Sequence, residues 1–206
     1  MQTIETWQPL LVPTVATADG LMRVADNDSE PVPYLARPSA HEPDWSREAC
    51  AALSWLPSRQ LMRAYRSYSA GAATGGVRGA LQRKLAVLHH RFWSAVSGAE
   101  LPLNTRRVEG GLMMPHPNGV VVHPDAEIGP NCLLFQQVTL GTGPREGVPK
   151  LGGSVEIGPG AKVLGGVTIG DFATIGANAV VIDDVPAGAV AVGVPAVIKL
   201  DARRRR

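Results

Sequence analysis

No stretch of this 206-residue chain comes near the roughly 18 consecutive apolar residues of a membrane span. Its first residues, Glu5 and Asp19 among them, lack the charged-then-apolar order of a secretion signal. Both absences predict a cytoplasmic protein with no business on a membrane. A charge of one sign is missing too: setting aside the four arginines Arg203 to Arg206 turns the formal net charge from +2 to −2. The body is therefore nearly neutral, which argues against a nucleic-acid partner, and the arginine tail reads as a solvated end. Cysteine is scarce. Cys50 falls in a stretch with a helical pattern and Cys132 at an inward-facing position, which suits reduced core thiols better than a disulfide. The 45% hydrophobic content is enough for a sizeable core in one or two domains.

What the chain has in abundance is a beat of six. From Ile157 an aliphatic residue returns at Val163, Ile169, Ile175 and Val181, and upstream the same beat runs through Val108, Met114, Val122, Ile128, Leu134 and Leu140. A helix repeats near 3.6 and a strand near 2, so a period of six predicts stacked short strands, three hexads to each turn of a parallel β-helix. Four residues after most beats comes a second inward candidate: Leu112, Ala126, Cys132, Val138, Ala161, Val167, Ala173, Ala179 and Val185. Two interruptions break the pattern. Between Met114 and Val122 the spacing is eight, around Pro115-His116-Pro117-Asn118-Gly119, and from Gly141 to Val155 the chain is too rich in glycine and proline to continue the coil. Insertions in repeat proteins gather on the binding face, so function belongs at these two places.

Ahead of the solenoid the reading is helical. The pattern predicts one helix from Asp44 to Trp55, ended by Pro57, and a second capped by Ser58 with Leu61, Ala64, Tyr65 and Tyr68 on one face. A glycine-rich link follows from Ala70 to Gly79. The third helix, about Arg78 to Val96, carries Leu81, Leu85, Leu88, Phe92 and Val96 as one apolar stripe. The division expected is an extended or poorly ordered arm over residues 1–40, a small helical domain over 41–99, a β-helix over 100–198 and a basic tail over 199–206. Val192 to Ala196 leave the repeat where the last coil needs a cap.

His116 stands between two prolines ahead of Asn118-Gly119, a turn that holds the imidazole on a rigid outward kink, where it can serve as a general base. A surface loop histidine is the plainer alternative, and the interrupted solenoid favours the base. His123, before Pro124, reads as an outward position on the next coil, while His89 and His90 read as structural and His41 falls in the unpatterned arm. No third metal ligand converges with His116 and His123, so no metal is expected.

These residues resemble the bacterial serine O-acetyltransferases. The likeness is carried by Glu100-Leu101-Pro102-Leu103-Asn104-Thr105, by Pro115 to Gly119, by Gln136-Gln137-Val138-Thr139-Leu140-Gly141, by the closing Gly193-Val194-Pro195-Ala196 and by Ala64-Tyr65-Arg66 before the coil. It implies a left-handed β-helix, a homotrimer or dimer of trimers, and acetyl-CoA bound between neighbouring subunits. His116 matches the family's catalytic base and Glu100 the acidic residue that orients it. The acetyl-CoA contacts map onto Thr142, Gly143, Pro159, Thr174 and Ala177. The resemblance departs where the family has an acidic residue before the histidine, here Pro115, and an Arg-His pair in the loop, here Gly147-Val148.

The expected function is acetyl transfer from acetyl-CoA to a small hydroxyl acceptor, L-serine first, for cysteine biosynthesis. With the family's charged groups absent, the serine carboxylate falls to Arg106, Arg107, Arg145 or Lys150 and its amine to Glu109 or Glu146. Another hydroxy amino acid or a sugar hydroxyl stays open as acceptor, and from a different class so does a non-catalytic trimeric scaffold.

Overall fold

The structure, a computed structural model, describes residues 37–199. From Pro38 the chain forms one compact unit, in which a helical hairpin leads into a left-handed parallel β-helix. Of the expected arm, residues 1–36 lie outside the described residues, as does the basic tail from residue 200.

The beat of six folds as the sequence predicts. Each hexad gives a strand of two or three residues and a corner, and three hexads return the chain to its own column. The first face stacks Arg107–Val108, Glu127–Ile128, Lys150–Leu151 and Thr168–Ile169; the second Leu133–Leu134, Glu156–Ile157, Thr174–Ile175 and Val190–Val192; the third Val121–Val122, Thr139–Gly141, Lys162–Leu164 and Val180–Val181. All pair in parallel and in register, Val121 on Thr139 and Thr139 on Lys162 for instance. Every beat residue from Val108 to Val181 is buried, and so is each of the second inward set from Leu112 to Val185. Isoleucine, leucine, valine and alanine fill the narrow bore, and burial of this apolar surface drives the coil together.

Two of the three corners turn through left-handed backbone. Gly111, Asn131, Ser154, Phe172 and Gly188 form one such column and Gly119, Gln137, Gly160 and Asn178 the other. Asn131 also ties the chain ahead of the helices to the coil, its Nδ2 donating to Ser39 O and Glu42 O at 2.8 Å each and its Oδ1 accepting from Asp44 N at 2.8 Å. At the far end Val197–Lys199 pairs antiparallel with Val190–Val192 and covers the last edge of the second face.

Several expectations are corrected. The solenoid resumes earlier than Val155: Lys150–Leu151 is a strand of the first face and Leu151, six residues before Ile157, is inward and buried. The insertion is thus only the stretch from Thr142 to Pro149. The helix expected from Asp44 to Trp55 shrinks to a 3-10 turn, Trp45–Arg47, so Cys50 is not helical. Carbonyls that a helix would use internally are taken elsewhere, since Gln60 Nε2 donates to Ala51 O, Ala52 O and Ser54 O within 3.0 Å. Pro57 does not end that helix but begins α1 (Pro57–Thr74), at the first position where a missing N–H costs nothing, and Leu56 rather than Ser58 occupies the cap.

The expected glycine-rich link is also helix. α1 runs to Thr74 and α2 (Gly76–Ser97) follows after Gly75 alone. Gly71 and Gly79 are where the two helices touch: a Cβ on Gly79 would lie 2.4 Å from Gly71 O. The hairpin buries Leu61, Met62, Tyr65, Ala86 and Trp93. The stripe read as the core face of α2 points the other way, leaving Leu81, Leu85, Leu88, Phe92 and Val96 all exposed in the single chain, Leu88 at 68%. Small residues, not the leucines, let α2 approach α1.

Candidate functional site

The two extra residues between Met114 and Val122 are extruded at a corner. Met114 and Val120 both point inward and are buried, Met113 bridges Leu133 on the second face and Val121 opens the third. The five residues between Met114 and Val120 must therefore cover what three cover one coil later, from Phe135 to Gln137. The surplus bulges outward with His116 on it, exposed to solvent. The bulge is anchored from both sides: Gly119 N donates to Gly98 O at 2.8 Å and Gln137 N to Asn118 O at 2.9 Å. Gly119 has φ 68°, and a Cβ on Gly98 would meet Asn118 Nδ2 at 2.8 Å. This close stacking holds the imidazole's base rigid while its ring stays free.

Glu100 lies one coil away in the adjoining row, bridging Val121 and donating its N–H to Val120 O at 2.8 Å. Its carboxylate is exposed, and among the described residues of one chain no ion pair or hydrogen bond joins it to His116. Pro159 and Ala177 fall on the same corner column as the histidine turn, since Gly160 N donates to Gln136 O and Asn178 N to Pro159 O, each at 2.8 Å. Thr174 sits on the second face, beside Glu156. The corner also holds a group to which the sequence reading gave no separate role. Gln136 Oε1 is buried with no hydrogen-bond partner; a glutamine where the other coils have Pro159 or Ala177 is the signal for it.

Thr142 and Gly143 lie at the opposite end of the third face. There the insertion folds back over the next coil: Gly165 N donates to Gly141 O at 2.9 Å and Gly166 N to Arg145 O at 3.2 Å. A Cβ on Gly143 would meet the Leu164 carbonyl carbon at 2.7 Å, and Gly147 has φ 106°. Arg145 Nη1 donates to Asp184 Oδ1 at 2.9 Å, and Thr168 N reaches the same oxygen at 2.7 Å. The Thr168 N–H and then Arg145 hold the Asp184 carboxyl below its ordinary range. One chain thus carries the histidine and the loop at opposite ends of one face and does not bring them together.

The basic residues expected to bind substrate divide. Arg106, Arg107 and Lys150 converge on Glu127, each with a nitrogen 3.6 Å from its carboxylate, and Arg107 also pairs with Glu109. Arg106 and Lys150 border a hollow of about 480 Å³ under the loop together with Asp125, Glu146, Gly147 and Val148. None of the four lies at the His116 corner. His123 takes a different place again, its Nδ1 accepting from Asp125 N at 3.1 Å. His90 is buried with Nε2 2.8 Å from Leu101 O. Among the described residues no group of three or more histidine, cysteine or acidic side chains is arranged for a metal, and no helix is long and apolar enough to cross a membrane. Cys132 is inside the bore, where burial pushes its thiol up to about 12 and removes it from nucleophilic chemistry.

Comparison with known proteins converges on one family. Residues 149–183 match the family model described as bacterial transferase hexapeptide (six repeats). The chain is 46% identical over 93 residues to the serine acetyltransferase of Helicobacter pylori strain J99, covering 44% of this chain and 54% of that protein. To the serine acetyltransferase of Synechococcus elongatus it is 45% identical over 92 residues, 43% of this chain and 38% of the relative. A solved serine acetyltransferase in complex with cysteine is similar with TM-score 0.59 and 32% identity, over 71% of this chain and 59% of that one. A complex with CoA gives TM-score 0.58 and 32% identity over 70% and 58%. The chain spans about half or less of the length of the curated relatives it matches.

Proposed function

We propose that the chain is a serine O-acetyltransferase, the family its hexapeptide repeats and its likeness to solved and curated members support, and that it moves an acetyl group from acetyl-CoA to the hydroxyl of a small acceptor, L-serine first. The observation that carries this reading is the corner bulge with His116 exposed on a backbone pinned from two sides. A base held at fixed geometry contributes about 10² to 10⁴ in rate. His116 takes the acceptor's hydroxyl proton as the oxygen attacks the thioester carbonyl, Glu100 steadies the imidazole and its charged form, and the CoA thiolate leaves, regaining the proton from His116. Backbone N–H groups at the corner or loop stabilise the oxyanion. With Cys132 sealed in the bore the transfer is direct, without an acyl-enzyme.

The active assembly in this reading is a homotrimer. The histidine and the Thr142–Pro149 loop sit at opposite ends of one face, so a neighbouring copy is what closes a site between them, with Thr142, Gly143, Pro159, Thr174 and Ala177 lining the acetyl-CoA groove. Small residues there let a pantetheine arm lie along the backbone. The exposed stripe on α2 offers a further apolar face for pairing two trimers. Sedimentation should give a mass that is a multiple of three chains, and an active monomer would refute the shared site. We place the enzyme in the cytoplasm, where acetyl-CoA is made and free thiols persist.

A different hydroxyl acceptor is the second reading, favoured by Pro115, Gly147 and Val148 where relatives carry charge. A screen of hydroxyl acceptors against acetyl-CoA, following free thiol, separates the two. Serine as the best acceptor supports the first reading; a faster hydroxy acid or sugar replaces it, and no thiol release with any acceptor leaves a scaffold.

A further inference from the structure

On the histidine's own chain, the wall beyond Pro115 opens into a cavity of about 360 Å³ between the start of α1 and the first coil. Its chemistry is one-sided. Arg47 and Arg59 line it, with Met62, Met113 and Met114 among its apolar walls, and no carboxylate does. Neither guanidinium is used up. Arg47 donates Nε to Gly111 O at 2.9 Å and Arg59 donates Nη1 to Ala49 O at 2.9 Å, and neither belongs to an ion pair among the described residues. The charge of Asp44 acts on Arg47, but Asp44 does not line the cavity and its Oδ1 accepts from Ser46 N and Oγ. α1 begins at the same cavity without a side-chain cap, so its positive end adds to the two arginines.

We propose that this cavity receives the carboxylate of the acceptor, with Arg59 and Arg47 as the groups that hold it and His116, one residue past the Pro115 wall, placed at the hydroxyl end. The proposal rests on the acetyl-transfer reading and narrows it. Two guanidiniums in a wall that carries no carboxylate favour a carboxylate-bearing acceptor over a neutral sugar. A volume in the range of small-molecule sites, walled by adaptable methionines, suits a hydroxy amino acid or hydroxy acid with room to spare. The rival cations are already engaged: Arg106, Arg107 and Lys150 share Glu127, and Arg145 holds Asp184.

The test compares Arg59→Gln and Arg47→Gln with the double variant Arg106→Gln/Lys150→Gln, using acetyl-CoA with L-serine or with its carboxylate-free analogue serinol, and calorimetric binding of L-serine alone. Losing a charge-assisted hydrogen bond to the carboxylate should raise the serine KM and Kd roughly ten- to a hundredfold. The acetyl-CoA KM and the serinol rate should hold, and Arg59→Lys should recover only part of the loss. Far-UV circular dichroism and melting curves matching the parent's show that the helical hairpin remains folded in each variant. Serine parameters that do not move in the Arg59 and Arg47 variants, or that move only in the Arg106/Lys150 variant, overturn the proposal while leaving acetyl transfer standing. Should the parent release no thiol with any acceptor, acetyl transfer itself falls, and calorimetry still decides the cavity: serine binding lost in Arg59→Gln supports it, and no binding by the parent refutes it.

Discussion

Glu48 and Arg66 grip one another twice, Arg66 Nε donating to Glu48 Oε2 at 2.9 Å and Arg66 Nη2 to Glu48 Oε1 at 2.8 Å. Both then reach the first coil. Leu112 N donates to Glu48 Oε1 at 3.0 Å, and Arg66 donates to Val108 O and Glu109 O at 2.6 Å each. The Glu48 side chain is only 7% exposed. The pair pins α1 to the coil segment that leads into the His116 bulge.

Removing either partner leaves the other charged and largely desolvated. Glu48→Ala or Arg66→Ala should therefore lower the unfolding free energy by about 3–5 kcal/mol, measured by urea denaturation. Arg66→Lys should not restore it, because an ammonium cannot span two carboxylate oxygens and two carbonyls as the planar fork does. A loss below about 1 kcal/mol would place this pair with ordinary surface ion pairs.

Burial lowers the proton affinity of His90, against a smaller raising effect of its bond to Leu101 O, and burial lowers that of His89 beside it. An unfolded chain protonates histidine near about 6.5. Between that value and the lower folded one the unfolded chain binds more protons, so stability rises with pH across this window. It is fully present above about pH 6.5 and falls as the solution is acidified. Denaturation midpoints of the parent should drop between pH 7 and pH 5, and the His89→Gln/His90→Gln variant should show a flatter profile. Equal slopes would assign the acid sensitivity to other groups.

The solenoid was legible because its signal is periodic and its core is one-dimensional: a residue six places from Ile157 must face the bore whatever else surrounds it. Leu151 obeys the same rule, but the glycines around it hid it, and the expected break ran past it to Val155. The hairpin was harder. Gly71 and Gly79 look like a flexible link until two helices are placed in contact, where a missing Cβ is what permits the approach. The leucines of α2 carry a correct helical period, but period alone does not say which surface a helix buries against in one chain. At the site, the bulge of His116 followed from counting eight residues where six belong. Arg47 and Arg59 could not be found this way, since they reach the cavity through an irregular turn and a helix start that no repeat describes.

Cys132 should behave as core. Its Sγ is 3.2 Å from Gly152 O and its thiol is pushed up to about 12 by burial, so iodoacetamide at pH 8 should label Cys50 in the native protein and Cys132 only after denaturation. Cys132→Ala should retain thiol release from acetyl-CoA. Rapid native labelling at Cys132 that tracks with loss of activity would reopen nucleophilic catalysis.

The central claim is that His116 is the base of a direct acetyl transfer, and steady-state kinetics of His116→Ala test it most directly. With L-serine as acceptor, CoA release should fall by about 10² to 10⁴ while acetyl-CoA binding, followed by calorimetry, stays close to that of the parent. Turnover near the parent's in a folded His116→Ala protein would contradict the account and move the chemistry away from this corner of the coil.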